Sequence, residues 1–237
     1  MKKTRIGALD VILAGGSDRE GGGDGPVVVL LHGFGAPGDD LASLWRVMGV
    51  PQGTRFVFPA ALLSLADEGY AGGRAWWRID MAAIQRGDRP RATDVPVGLE
   101  AARAAVEAVV DHIEGDWKVP ASRVLLGGFS QGAMLAIDVA LLRKASLAGV
   151  AVLSGTLIAA TEWATHLAAL PKPAPPFFQS HGAADPILPY ALAEVLRDTL
   201  TKAGLDVTWC PFRGGHEIPP GILDGLGRFA TRVLAPA

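Results

Sequence analysis

Short, continuously apolar runs that stop at glycine or proline alternate along this chain with longer stretches of helical period. A run with no polar face has no side to give to water. It fits a strand covered by helices on both sides, as in a parallel sheet. Six such runs are read at 27–31, 55–58, 124–126, 150–153, 177–179 and 207–209. Most run into Gly- or Pro-containing turns such as His32-Gly33-Phe34-Gly35, Gly127-Gly128, Ser154-Gly155 and His181-Gly182. Helical patterns lie between or after them at 41–48, 98–113, 131–143, about 161–170, 190–203 and 221–234. Strands alternating with crossover helices predict an α/β fold. Its central sheet is mostly parallel with helices on both faces, and ligands bind beyond the carboxyl ends of the strands. At 237 residues the chain is read as one domain, 1–237.

The rest of the composition mainly excludes. Lys and Arg number 22 against 24 Asp and Glu, a net charge of −2, so no strong field exists to hold nucleic acid or an anionic membrane. Cys210 is the only cysteine, which removes any disulfide framework or Cys-rich metal site. It also fits a reducing compartment, so a cytoplasmic protein is expected. No apolar run approaches the ~20 residues needed to span a membrane. The Lys2-Lys3-Thr4-Arg5 start is read as no cleaved signal, because Asp10 interrupts the apolar stretch behind it. The Pro-rich 171–176 reads as a stiff helix-to-strand connection. The long connection 60–96 leaves the carboxyl end of a strand and reads as a loop or lid-like insertion near the site.

Gly128-Phe129-Ser130-Gln131-Gly132 fits the G-x-S-x-G turn that holds a serine hydroxyl above a sheet, and it lies between an apolar strand and a helix as that turn requires. A serine needs a base and a group that orients the base. His112 and His166 fall within helices and read as solvated or core residues, whereas His32 and His181 precede glycines at strand ends and could shape the site through loop backbone. His216, in Gly214-Gly215-His216-Glu217 after the last strand, completes the order nucleophile, acid, base. Asp185 lies past a strand end between the other two, with an Asx-type turn before Pro186 as its simpler reading. Asp138 is read as a solvated charge. The N–H groups of Gln131 and Phe34 are the expected oxyanion donors. Trp76 and Trp77, paired within the long connection, are read either as walls of a substrate pocket or as core. Phe129 occupies the place where a dinucleotide-binding loop needs its second glycine, so that reading fails.

Five motifs in order now support a resemblance: Leu31-His32-Gly33-Phe34-Gly35, Gly128-Phe129-Ser130-Gln131-Gly132-Ala133, Leu153-Ser154-Gly155, His181-Gly182-Ala183-Ala184-Asp185-Pro186-Ile187-Leu188-Pro189 and Gly215-His216-Glu217-Ile218. The chain resembles the carboxylesterase/phospholipase family of α/β hydrolases, which includes the acyl-protein thioesterases. The resemblance implies a serine esterase that forms an acyl-enzyme on Ser130, with Asp185 and His216 as partners, Phe34 and Gln131 as oxyanion donors, and no metal or organic cofactor. It also suggests that Leu188 borders the acyl pocket. The stretch 72–81 looks like the family's aromatic segment, but the continuation through Arg86, Arg89 and Arg91 differs from the eukaryotic protein thioesterases. No long apolar lid is visible. Small-molecule esters of short to medium acyl chain are therefore the expected substrates. An acyl-thioesterase or lysophospholipase is the alternative, and a non-catalytic binder on the same fold is the reading from another class. Arg74 and Arg78 are read as facing solvent, with an anionic head-group contact as the alternative. Homodimer formation is left open.

Overall fold

The computed structural model describes residues 1–88, 90–170 and 172–235, without the side chain of Gln85. Arg89 and Pro171, both used in the sequence reading, lie outside the described residues. Strands β1 (Lys2–Ile6), β2 (Leu9–Gly16), β3 (Glu20–Gly22), β4 (Val27–Leu31) and β5 (Arg55–Pro59) precede a small hairpin of β6 (Leu63–Ser64) and β7 (Arg74–Ala75). Strands β8 (Val124–Phe129), β9 (Gly149–Leu153), β10 (Phe177–Gly182) and β11 (Val207–Phe212) follow. The main sheet runs β1-β2-β5-β4-β8-β9-β10-β11, with β3 beside β2. From β5 through β11 every pairing is parallel, and β1–β2 and β2–β5 are antiparallel.

All six expected strands form. The antiparallel β1–β2 hairpin was not expected from the sequence, although Leu9, Val11 and Leu13 alternate with more exposed neighbours, as a half-buried strand does. The chain steps outward from β4 to β5 and then returns past β4 to β8, so its direction of travel reverses between β4 and β8. Such a switch point opens a crevice beyond the strand ends. The loops after β4 and β8 carry His32 to Gly35 and Ser130.

Helices α1 (Met81–Gln85), α2 (Leu99–Gly115), α3 (Gln131–Leu142), α4 (Ala160–Ala169), α5 (Tyr190–Lys202) and α6 (Pro220–Leu234) complete the fold. Val27, Val29 and Leu31 face one side of β4 and pack with α2 to α5; Val28 and Leu30 face the other and pack with α6. The helix expected at 41–48 is only a 3-10 turn, Ala42–Arg46, on the α6 side. Helix α2 sends Leu99, Ala102, Val106, Val109, Val110 and Ile113 inward at three- and four-residue spacing. Edge strand β11 tolerates Pro211 because, among the described residues, no further strand pairs beyond it and needs its missing donor. Among the described residues no helix is long and apolar enough to cross a membrane.

Helix α3 is buried on all sides from Gln131 to Leu141. This overturns the reading of Asp138 as a solvated charge: it is 1% exposed, because no face of α3 meets water. Its carboxylate accepts from Arg103 Nε at 2.7 Å on α2 and from Trp163 Nε1 at 2.8 Å on α4, so one buried charge joins three helices. Replacing Asp138 with Ala leaves the indole N–H and a largely buried guanidinium without their acceptor, and is expected to cost about 3 kcal/mol in urea unfolding. A change below about 0.5 kcal/mol, the range of ordinary surface substitutions, would contradict this account.

Candidate active site

The turn after β8 is shaped by how closely it meets β4. A Cβ at Gly132 would stand 2.2 Å from the Leu31 carbonyl oxygen, and one at Gly128 would stand 2.4 Å from the backbone of Gly132. Any larger residue would push α3 off the sheet. Between them Ser130 sits at φ +55°, ψ −117°, a conformation that L-residues seldom adopt. The turn holds it there: the Ser130 N–H donates to the Leu153 carbonyl at 2.8 Å, and its own carbonyl accepts from Ala133 at 3.0 Å. Strain of this kind persists only where the surroundings enforce it, and it concentrates at functional sites.

Asp185 and His216 come from turns after β10 and β11. Asp185 Oδ1 accepts the N–H groups of Ile187 at 2.8 Å and Leu188 at 2.9 Å, and Oδ2 accepts His216 Nδ1 at 2.6 Å. The Asx-type turn and the carboxylate–imidazole pair were alternatives in the sequence, and both are present, one on each oxygen. The two turns are laced by Ala183 N–H to Phe212 O at 2.8 Å and Ala184 N–H to Gly214 O at 2.9 Å. A Cβ at Gly182 would lie 2.1 Å from the Gly215 carbonyl oxygen, so this packing too needs glycine. With Nδ1 donating to Asp185, His216 keeps its lone pair on Nε2. The ring packs 4.7 Å from that of Phe129, the residue before Ser130.

Ser130 and His216 line one cavity of about 200 Å³. Gly33, Phe34, Phe129, Gln131 and Met134 border it, and Leu188 does so as expected. Its remaining wall was missed in the sequence: Ile79, Met81, Ile84 and Pro90 from the long connection, and Ile187 and Leu192 from the stretch after Asp185. The signal was a group of apolar side chains inside an Arg-rich stretch, with Asp80 capping a short helix by accepting from Ala83 N–H at 2.8 Å. A larger cleft of about 330 Å³, near Lys3, Asp10 and Arg74, holds none of Ser130, Asp185 or His216. Among the described residues no three His, Cys, Asp or Glu side chains are grouped to hold a metal ion.

Trp76 and Trp77 do not line the cavity. They are 2% and 3% exposed in the core, where so much apolar area is best buried. Their position is nonetheless tied to the site. The Trp76 indole N–H donates to the His32 carbonyl at 2.9 Å; the Gln131 side chain accepts from Trp76 N–H at 3.0 Å and donates to the Trp77 carbonyl at 2.8 Å. His32 accepts at Nε2 from Ala61 N–H at 2.9 Å, which leaves Nδ1 to donate to the Gly33 carbonyl at 2.8 Å. Burial lowers its pKa and favours this neutral form. The loop carrying Phe34 is further pinned by Gly35 N–H to the Arg74 carbonyl at 2.9 Å. Arg74 does not simply face solvent: its guanidinium bonds the carbonyls of Ala61 and Leu62. Arg78 pairs with Glu68. Gln131 opens α3, so its N–H is among the first-turn amides with no intrahelical acceptor, at the positive end of the helix dipole.

A family profile described as Phospholipase/Carboxylesterase matches residues 21–233. Acyl-protein thioesterase 1 of Neurospora crassa is 29% identical over 215 residues, covering 87% of this chain and 86% of that protein. The crystal structure of esterase PE8 aligns with a TM-score of 0.80 at 28% identity, over 95% of this chain and 99% of that one. Maize acyl-protein thioesterase 2, at 22% identity and a TM-score of 0.73 over 95% of this chain and 99% of its own, shares the fold. The chain therefore belongs to the phospholipase/carboxylesterase family of α/β hydrolases and is a carboxylesterase-type serine hydrolase.

Proposed function

We propose that this chain hydrolyses small, uncharged carboxylic esters of short to medium acyl length through an acyl-enzyme on Ser130. The observation that carries the reading is the 2.6 Å bond between His216 Nδ1 and Asp185 beside a strained serine in one apolar cavity. His216 Nε2 takes the Ser130 hydroxyl proton as Oγ bonds to the ester carbonyl carbon. The carbonyl π pair moves to oxygen, and the N–H groups of Phe34 and Gln131 hold that oxyanion; one such donor is worth about 100- to 1000-fold in rate. As the carbonyl re-forms, the C–O bond to the alcohol breaks and the imidazolium proton goes to the departing alkoxide. Water then repeats the cycle on the acyl group, which leaves as the acid and frees Ser130. Asp185 orients the imidazole and stabilises its cationic form throughout.

No Asp, Glu, Lys or Arg is among the described residues lining the cavity. A phosphate head group inside it would lose its hydration with no cation in return, which favours a neutral ester over a lysophospholipid. The Neurospora relative keeps an acyl-thioester as the second reading, since the same steps cleave a C–S bond. All three groups of the proposed triad come from one chain, so a monomer and a homodimer would work alike. We read 1–237 as one α/β-hydrolase domain in which 60–96 is the insertion that completes the site, and the lone Cys210 favours a cytoplasmic setting.

Ser130→Ala is expected to lower kcat/KM on p-nitrophenyl butyrate about 10,000-fold or more, and to abolish labelling by a fluorophosphonate probe. Near wild-type turnover by this variant would reject the reading, and an inert binder would fail to label even as wild type. Ser130→Gly tests the strain separately: it should be more stable than Ser130→Ala by about 1 kcal/mol in urea, because glycine adopts φ +55° without penalty. Equal stability would mean that the turn stores no strain. Ile84→Ala enlarges the cavity wall, and each newly buried methylene contributes about 0.8 kcal/mol, so the hexanoate-to-butyrate ratio of kcat/KM should rise about tenfold. Trp76→Ala should instead slow all chain lengths alike. An unchanged chain-length profile in Ile84→Ala would show that α1 does not bound the acyl site.

A further inference from the structure

His181 is wholly buried at the end of β10, four residues before Asp185. Its Nε2 lies 2.8 Å from the Leu188 carbonyl oxygen and 3.3 Å from Asp185 Oδ2. Both neighbours only accept, so Nε2 carries the proton. Burial lowers the pKa of this ring and favours its neutral form, which leaves Nδ1 as a bare acceptor. That Nδ1 is buried and has no hydrogen-bond partner among the described residues. A leucine or phenylalanine at 181 would carry no such cost. The imidazole must therefore be of use through its other edge.

That edge faces one small structure from two sides. The Leu188 N–H rests on Asp185 Oδ1, its carbonyl rests on His181 Nε2, and its side chain walls the cavity. The other oxygen of Asp185 receives His216. We propose that His181 is a positioning residue that holds the turn from Asp185 to Leu188, keeping Oδ2 aimed at His216 and Leu188 on the cavity wall. The inference rests on the serine hydrolase reading of the same site. Without the Nε2 donor the Leu188 carbonyl loses its hydrogen bond and Asp185 Oδ2 loses a neighbouring N–H, so the Leu188 end of the turn is held less firmly and the carboxylate is aimed less closely at the imidazole. A displacement of about 1 Å at such a group costs roughly 100-fold in rate.

The test compares His181→Phe, which fills the space without a donor, with His181→Gln, whose amide N–H reaches the position of Nε2. His181→Phe is expected to lower kcat for p-nitrophenyl butyrate about 10- to 100-fold and to weaken the low-field proton resonance of the His216–Asp185 bond. His181→Gln should restore most of both. Wild-type kcat in a folded His181→Phe would overturn the proposal. So would equal losses in the two variants, which would mean that the ring only fills space. Should neither fold, His181→Asn, with a shorter donor, is measured in the same way: an intact resonance with full kcat overturns the proposal, and a weakened resonance with reduced kcat supports it. Ser130→Ala run in parallel separates the two levels, because its retained activity would reject the site itself, whereas an inactive Ser130→Ala beside a fully active His181→Phe would reject only the role of His181.

Discussion

The structure depends on how closely the first turn of α3 approaches the end of β4. Two glycines allow it, at contacts where a Cβ would fall 2.2 to 2.7 Å from the Leu31 carbonyl oxygen or from the turn's own backbone. This contact forces Ser130 into its strained conformation and brings the positive end of α3 beside the loop that carries Phe34. It also seats α3 so deeply that every residue from Gln131 to Leu141 is buried. A charge on that helix can survive only when paired, and the links from Asp138 to Arg103 and Trp163 follow from the same approach. Site geometry and helix packing are thus two consequences of one steric fact.

Asp185 shows a similar economy. A carboxylate offers about four acceptor positions. Here one oxygen receives two backbone N–H groups of its own turn, and the other meets His216, with His181 nearby. Such a carboxylate has little reason to rotate, because each movement would strand a donor. The turn and the charge pair are therefore not rival explanations of Asp-Pro in the sequence. The turn is the means by which the charge is aimed.

How much of this was legible depended on the physical range of each signal. The parallel strands could be read because burial on both faces leaves unbroken apolar runs, and Ser130, Asp185 and His216 could be ordered because each follows such a strand. Strands β1 and β2 have an alternating pattern, weaker over few residues, and the charged residues of β1 break it further. Helix α1 has five residues, too few for any helical period to register, so Met81 and Ile84 went unread as cavity wall. The tryptophan pair stayed open between cavity wall and core for another reason. Sequence places an aromatic near a site, but only packing decides whether its face or its back meets the substrate. Asp138 was misread although its signal was visible, since an otherwise apolar helix offers no face on which to solvate it.

The long connection after β5 works on the site from two directions. Its first part stands behind the loop that carries Phe34: Ala61 bonds His32, Trp76 bonds the His32 carbonyl, and Gln131 clasps the backbone of Trp76 and Trp77. From its later part, Ile79, Met81, Ile84 and Pro90 form the wall in front. The clasp at 76–77 lies two residues from Ile79, so the wall is indexed to the turn that carries Ser130. Substitutions at Ile79, Met81, Ile84 or Pro90 can then reshape the cavity while the turn stays fixed, whereas substitutions at 76–77 reach through His32 to the loop that carries Phe34 and, under the proposed mechanism, disturb reaction at any chain length. Under the proposed function, selectivity and rate therefore fall to neighbouring stretches of one segment, divided by the residues that Gln131 holds.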